Sequence, residues 1–140
     1  MALKASRLKV GDTHVERVVE NLTRTEIVMY CGVSGDYNPL HADEVYVTQK
    51  AGYPSVFAHG MLTMGLTGQA ITRLVGTDGL LRFGVRFTAQ VWPGDTLTVR
   101  SSVVRIDEGD DGPVAEFSVS TVNAEGREVV SGYAHGRLAP

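Results

Sequence analysis

The chain has 140 residues, the length of one domain, with 43% hydrophobic and 21% charged residues. This composition excludes a disordered or collagen-like chain, and a net charge of −3 argues against a nucleic-acid-binding protein, which usually carries a basic face. No apolar run approaches the roughly 18 residues that cross a bilayer, and the first residues lack the apolar core of a signal peptide. We therefore expect one domain spanning 1–140, a cytoplasmic location, and neither nucleic acid nor membrane as partner.

The first part of the chain predicts one strand and one short helix. Residues 13–20 alternate and are rich in β-branched side chains, as expected of a strand. Thr23 and Glu26 have the spacing of a capping box, so a helix should start there and run to about Val33. The only cysteine, Cys31, lies in this helix and cannot form an internal disulfide. We expect it to be a small buried residue rather than a catalytic thiol.

A turn at 34–39 ends this helix, because Gly35 can adopt a positive φ and Pro39 disfavours helical geometry at Asn38. The stretch that follows, up to Pro54, has no clear period, and no regular element is predicted in it.

A buried central helix is predicted at 59–75, where Arg73 is the only charged residue. Gly76 is the natural residue to end it. Gly65 and Gly68 each weaken such a helix by about 1 kcal/mol relative to alanine. Some close approach to the helix, by the sheet, a partner or the substrate, should compensate.

Four strands are predicted in the second half of the chain, at 82–91, 96–106, 114–122 and 127–138, with turns at 93–95, 108–113 and 123–126. The alternation changes phase at Val103 and Val104, as it does at a β-bulge. Together these elements predict an α+β fold, in which an antiparallel sheet curls around the central helix.

Asp36 and His41 form the most informative pair in the sequence. They are five residues apart across a turn bent by Pro39, so their side chains could converge on one small volume. An imidazole exchanges protons near neutral pH, and Asp36 could orient it and hold a water molecule while His41 exchanges the proton. The Gly60 amide lies in the first turn of the central helix, where unpaired N–H groups favour negative charge developing on a substrate oxygen.

Each candidate residue also has a structural alternative. Asp36 could be a turn carboxylate that bonds its own backbone, and His41 a surface or capping histidine. His59 fits a helix-start histidine bonded to the backbone better than a catalytic group. A metal site is not expected, because the chain has one cysteine and no His-x-x-x-His pair.

Four parts of the sequence together resemble the hydratase signature of the MaoC-like hot-dog family: Tyr30, the stretch 34–41, Ala51 and the stretch 57–62. The family comprises (R)-specific enoyl-thioester hydratases and (3R)-hydroxyacyl-thioester dehydratases. The resemblance implies one MaoC-like hot-dog domain that acts as a hydro-lyase on acyl thioesters of coenzyme A or acyl carrier protein. Within the family, the stretch 58–65 is most similar to the catalytic B-type subunits of (3R)-hydroxyacyl-acyl-carrier-protein dehydratases.

The resemblance also implies roles for single residues. Asp36 and His41 would be the catalytic dyad, and the Gly60 amide would polarise the thioester carbonyl, while Asn38 and His59 would support the site. It implies a dimer with the thioester between the subunits, formed either by two copies or with a different hot-dog subunit. Cofactors are not needed for this chemistry. One departure is that several members carry a helix serine where this chain has Gly68, and the adjacent Thr67 should point elsewhere.

Two competing functions remain. A hot-dog thioesterase would need a carboxylate on or facing the central helix, and 59–75 contains none. A non-catalytic subunit or acyl-binding module of the same fold would be expected to lack the pair formed by Asp36 and His41. A partner-dependent subunit of a heterodimeric dehydratase is a further alternative.

Overall fold

The computed structural model describes residues 4–139, so the ends of the predicted domain, 1–3 and 140, lie outside the described residues. Short 3-10 turns occur at Ala5–Arg7 and Thr77–Gly79. The helices and strands are, in chain order, β1 (Thr13–Val19), α1 (Arg24–Ser34), α2 (Pro39–Ala42), α3 (Glu44–Gln49), α4 (Gly60–Val75), β2 (Leu80–Phe87), β3 (Leu97–Gly109), β4 (Gly112–Val122) and β5 (Glu128–Arg137).

The five strands form one sheet in the order β1-β3-β4-β5-β2, and every neighbouring pair is antiparallel. Helix α4 packs across one face of this sheet and contacts β1, β2, β3 and β5. The sheet remains open, with β1 and β2 as its edges. The predicted α+β fold, with a sheet around a central helix, is confirmed.

The main core lies between α4 and the inner face of the sheet. Four residues of α4 point into it, namely Ala70, Ile71, Leu74 and Val75. They meet buried apolar residues of the central strands, which are Val99, Val103, Ala115, Phe117, Val119 and Ala134. Burying a side chain such as Ile71 contributes about 1.5–3 kcal/mol, so this layer holds the helix against the sheet. Among the described helices, none is both long enough and apolar enough to cross a membrane.

The sheet approaches α4 closely at two of its glycines. A Cβ at Gly68 would lie 3.1 Å from the Phe83 ring, and one at Gly60 would lie 3.0 Å from the Phe87 ring. A Cβ at Gly65 would meet nothing within 4 Å. The predicted close approach is therefore confirmed at Gly68, where the sheet provides it, whereas at Gly65 no described residue of the chain provides it.

Several local predictions are confirmed. Thr23 and Glu26 form the capping box of α1, and Gly35 ends this helix with φ +74°. His59 is the N-terminal cap residue of α4, and Gly76 follows the helix with φ +83°. The pairing of β3 with β4 shifts register between Val103 and Arg105, where the sequence predicts a bulge.

The sequence did not predict α2 and α3. Each is short and starts with a side-chain cap, because the Asn38 side chain accepts from the Leu40 amide and the Asp43 side chain accepts from the Tyr46 amide. These helices carry too few residues for an apolar period to show, so only the caps signal them.

Two predicted boundaries are wrong. Strand β2 ends at Phe87 instead of continuing to Val91, because the chain leaves the sheet and the Val91 carbonyl accepts from the Ala58 amide. The loop predicted at 108–113 is a tight hairpin in which Gly109 pairs with Gly112. The positive φ of Gly112, +113°, allows so short a turn.

Candidate active site

The turn after α1 is held by a short series of side-chain contacts. The backbone N–H of Asn38 donates to Oδ1 of Asp36 at 3.2 Å. Asp36 therefore makes the hydrogen bond to the turn backbone that its structural role predicts. Oδ1 of Asn38 in turn accepts from the Leu40 amide at 3.0 Å and caps α2, with Pro39 in the first helical position. Asn38 thus shapes the backbone that carries both Asp36 and His41.

His41 lies in α2 and is only 9% exposed, so it is not a surface histidine. Its Nδ1 is 2.7 Å from the carbonyl oxygen of Phe57. Because a carbonyl oxygen only accepts, this contact assigns the proton to Nδ1 and leaves the lone pair on Nε2. The ring is therefore held in the tautomer in which Nε2 can take up a proton from a neighbouring molecule.

His59 packs against His41 and is 2% exposed. The two imidazole rings are stacked, with centroids 3.8 Å apart and planes inclined by 26°. Nε2 of His59 is 3.0 Å from the backbone carbonyl oxygen of Asp36 and 3.6 Å from the sulfur of the buried Cys31. The prediction of a helix-start histidine bonded to backbone is confirmed, and so is the burial of Cys31.

The fold brings Asp36, His41 and His59 together. One oxygen or nitrogen atom from each side chain lies within 4.8 Å of the others. The Asp36 side chain is exposed, His41 is 9% exposed and His59 is buried. The predicted convergence of Asp36 and His41 is thus present in the structure. A carboxylate at the solvent edge beside a buried imidazole can hold a water molecule for proton transfer.

The same three side chains have the distances of a metal site but not its geometry. Nδ1 of His41 and Nε2 of His59 are both engaged by backbone carbonyls. The remaining nitrogen of His59, Nδ1, is fully buried, and the two rings are stacked with centroids 3.8 Å apart. The arrangement fits proton transfer better than metal binding.

Gly60 is the first residue of α4, so its amide has no partner within the helix. Within residues 4–139 the structure shows no other acceptor for this amide. A groove of about 320 Å³ opens beside it and is lined by Phe57, Gly60, Thr63, Phe87, Gln90 and Val129, among others. The amide and the helix dipole can therefore bind a partially negative oxygen at this end of the groove.

The helix residues next to the site have structural roles. Oγ1 of Thr67 donates to the Thr63 carbonyl at 2.9 Å and lies 2.7 Å from the hydroxyl of Thr121 in β4. It points into the sheet; the sequence predicted only that it points away from the position of the family's helix serine. A serine at position 68 would place its Cβ against the Phe83 ring, which accounts for the glycine there.

Sequence reasoning missed the acceptor that orients His41. It is the main-chain oxygen of Phe57, which lies 16 residues further along the chain. A main-chain acceptor carries no residue-type signal, so only the fold reveals it. The stacking of His59 on His41 was missed for the same reason.

Comparison with known proteins identifies similar sequences. A family model described as MaoC-like domain matches residues 7–124. The chain is 36% identical over 90 residues to 3-hydroxyacyl-thioester dehydratase Y of Mycobacterium tuberculosis, a match that covers 62% of this chain and 31% of the relative. It is 32% identical over 88 residues to an (R)-specific enoyl-CoA hydratase of Rhodospirillum rubrum, covering 61% of this chain and 60% of that enzyme. The chain thus spans about a third of the first relative and three fifths of the second.

A solved structure shares the fold. The R-hydratase PhaJ1 from Pseudomonas aeruginosa, in its unliganded form, superposes with a TM-score of 0.84 at 27% identity. The match covers 98% of this chain and 86% of that one. The expected hot-dog fold is confirmed by this agreement.

Proposed function

The chain belongs to the MaoC-like domain family, and we propose that this single domain reversibly hydrates trans-2-enoyl thioesters to (3R)-3-hydroxyacyl thioesters. The observation that carries the proposal is the convergence of Asp36 and His41, with His59 linking them to the start of α4 and the Gly60 amide. The acyl group would be carried by coenzyme A or acyl carrier protein. Two relatives named as a 3-hydroxyacyl-thioester dehydratase and an (R)-specific enoyl-CoA hydratase support this substrate class.

In the hydration direction, the Asp36 carboxylate holds a water molecule near C3 of the enoyl group. Nε2 of His41 takes one proton from this water as the oxygen bonds to C3, and the electrons of the double bond move to the thioester oxygen. The Gly60 N–H donates to that oxygen while it carries negative charge. The proton then passes from Nε2 to C2 on the same face, which completes a syn addition of H and OH.

The size of these effects is sufficient for catalysis without further groups. One preorganised donor to the developing oxyanion typically contributes about 10²–10³ in rate. A positioned acid/base group contributes roughly 10²–10⁴ more. The contact between His41 and the Phe57 carbonyl supports this assignment, because it keeps the lone pair on Nε2 before substrate arrives.

The two competing functions have less support. Helix α4 carries no carboxylate for a thioesterase. Glu16 does contact α4, but it pairs with Arg73 near the opposite end of the helix from Gly60. A non-catalytic subunit has no need for Asp36 and His41 to be held as they are here.

We also propose that the working unit is a dimer of hot-dog subunits, either two copies or a pair with a different subunit. Strand β2 is an edge of the open sheet, so one side of its backbone has no strand partner among residues 4–139. Leu81 and Phe87 on this strand are 46% and 50% exposed. A second subunit at this edge would cover them and would place the thioester groove near the interface.

The test of the function is the hydration of crotonyl-coenzyme A by the purified chain. The reaction is measured as the loss of the absorbance of the enoyl thioester. We expect turnover by the wild type and its near-complete loss in His41→Ala, with both proteins folded by circular dichroism. Equal activity in the two proteins would contradict the assigned mechanism.

If the wild type does not turn over crotonyl-coenzyme A, two further assays follow. One uses longer acyl groups carried by acyl carrier protein, and the other adds a candidate hot-dog partner. Light scattering coupled to size exclusion measures the oligomeric state in the same samples. The absence of turnover with every combination of substrate and partner would exclude the hydro-lyase function and favour a non-catalytic subunit.

A further inference from the structure

We propose that His59 is a positioning residue for the reaction described above, and this inference rests on that proposed function. Its side chain connects the turn that carries Asp36 to the start of α4, and its ring stacks on the ring of His41. It would not touch the substrate, because it is 2% exposed and covered by its neighbours. Its effect on catalysis would be exerted entirely through the placement of the other groups.

The first connection is the hydrogen bond to the Asp36 backbone. A carbonyl oxygen only accepts, so the 3.0 Å contact assigns the proton of His59 to Nε2. Nδ1 then carries a lone pair, and it has no hydrogen-bond partner within the described part of the chain. The ring is therefore fixed by one strong bond, and that bond holds the main chain at the residue whose carboxylate faces solvent.

The second connection is the stack on His41. The hydrogen bond from His41 to the Phe57 carbonyl lies in the plane of the ring, so the ring can still pivot about that bond. The His59 ring lies 3.8 Å away, nearly parallel to it, and prevents this pivot on one side. The Tyr30 ring packs edge-on against the His59 ring, with the two centroids 4.9 Å apart. The direction of Nε2 of His41 is thus set by two contacts, the hydrogen bond at Nδ1 and the stack on one face of the ring.

The third connection is covalent. His59 immediately precedes Gly60, so its backbone fixes the position of the amide proposed to bind the thioester oxygen. One residue therefore sets the distance between the acid/base pair and that amide. A misplacement of about 1 Å in such an arrangement can lower the rate by about 10²-fold.

Two substitutions test the hydrogen bond to Asp36 and the stack on His41 separately. His59→Gln keeps an N–H donor for the Asp36 carbonyl and removes the ring, whereas His59→Phe keeps a stacking ring and removes the donor. His14→Gln is the matched control, because His14 is an exposed histidine on β1. We expect kcat for crotonyl-coenzyme A to fall about 10- to 100-fold in each His59 variant with little change in KM, and to stay unchanged in the control.

A readout independent of activity is the ¹⁵N spectrum of the histidine side chains. In the wild type we expect His59 protonated on Nε2 and His41 on Nδ1. In His59→Gln the His41 signals should broaden or shift toward a mixture of tautomers, while thermal unfolding shows that the protein is folded. A purely structural residue would change the unfolding temperature and leave the His41 signals and kcat of the folded protein unchanged.

The outcomes keep the two proposals apart. A wild type that stays inactive with every substrate and partner combination described above contradicts the proposed function, and the ¹⁵N spectra still decide whether His59 positions His41. A His59 protonated on Nδ1 in the wild type overturns the positioning role even if neither variant folds. Folded variants with kcat within twofold of the wild type overturn it as well.

Discussion

The carbonyl oxygen of Phe57 lies 2.7 Å from Nδ1 of His41, and this contact determines which nitrogen of the ring is basic. Unlike a carboxylate partner, a carbonyl brings no charge of its own to the buried ring. Asp36 is thereby left at the solvent edge, where it can hold water, instead of being used to orient the imidazole. The orienting role that the sequence suggested for Asp36 belongs instead to a main-chain group.

The Asp36 carboxylate is the first target for mutation. Asp36→Asn keeps an oxygen that can accept from the Asn38 amide, so the turn should form as before. We expect kcat for crotonyl-coenzyme A to fall at least about 10²-fold, because the negative charge beside the bound water is lost. Asp43→Asn is the control: it changes in the same way a carboxylate that accepts from a backbone amide, at the start of α3, and it should remain active. Unfolding of Asp36→Asn, measured by circular dichroism, would favour the turn-carboxylate role.

The Gly60 amide can be tested with a pair of variants that differ by one N–H group. Gly60→Ala and Gly60→Pro both add a Cβ that presses on the Phe87 ring, which lies 3.0 Å from its position. Proline is tolerated in the first position of a helix, and the extended backbone of His59, with ψ 139°, suits the residue before a proline. We expect Gly60→Pro to be about 10²–10³-fold slower than Gly60→Ala in the crotonyl-coenzyme A assay. Equal rates in the two variants would rule out this amide as the oxyanion donor.

Gly65 offers a route to a more stable protein. Alanine is favoured over glycine within helices by about 1 kcal/mol, and a Cβ at this position meets nothing within 4 Å. Gly65→Ala should therefore raise the free energy of unfolding in urea by about 0.5–1 kcal/mol. Gly68→Ala should gain less, because its Cβ meets the Phe83 ring at 3.1 Å. A larger gain at position 68 than at 65 would contradict the packing described here.

The hydroxyl pair between α4 and the sheet should behave as a unit. Thr67→Val leaves the buried hydroxyl of Thr121 without this partner, and such a loss typically costs about 1–3 kcal/mol of stability. The double variant Thr67→Val with Thr121→Val removes both polar groups and should cost less than the sum of the single changes. Urea unfolding of the four proteins measures this coupling, and additive effects would show that the two hydroxyls are independent.

The sequence predicted those parts of the site that depend on local chemistry. Gly35 and Pro39 define the turn at Asp36, and the apolar run after His59 defines the helix that presents Gly60. These features follow from backbone preferences of a few neighbouring residues.

What the sequence could not predict depends on contacts between distant segments. The stack of His59 on His41 joins the cap residue of α4 to a residue of α2, and no periodicity encodes it. The short helix α3 depends on a single cap at Asp43, and this cap alone does not predict a helix because no apolar pattern follows it. The end of β2 at Phe87 depends on the bond between Ala58 and Val91, again a contact between segments.

Both imidazoles are anchored on main-chain oxygens, at Phe57 for one ring and at Asp36 for the other. Every amino acid supplies the same carbonyl, so evolutionary drift at position 57 leaves the acceptor for His41 in place. An insertion or deletion has a larger effect. One residue added between Gln49 and Phe57 would displace the Phe57 carbonyl relative to His41. Selection on this connection should therefore act on its length more strongly than on its side chains.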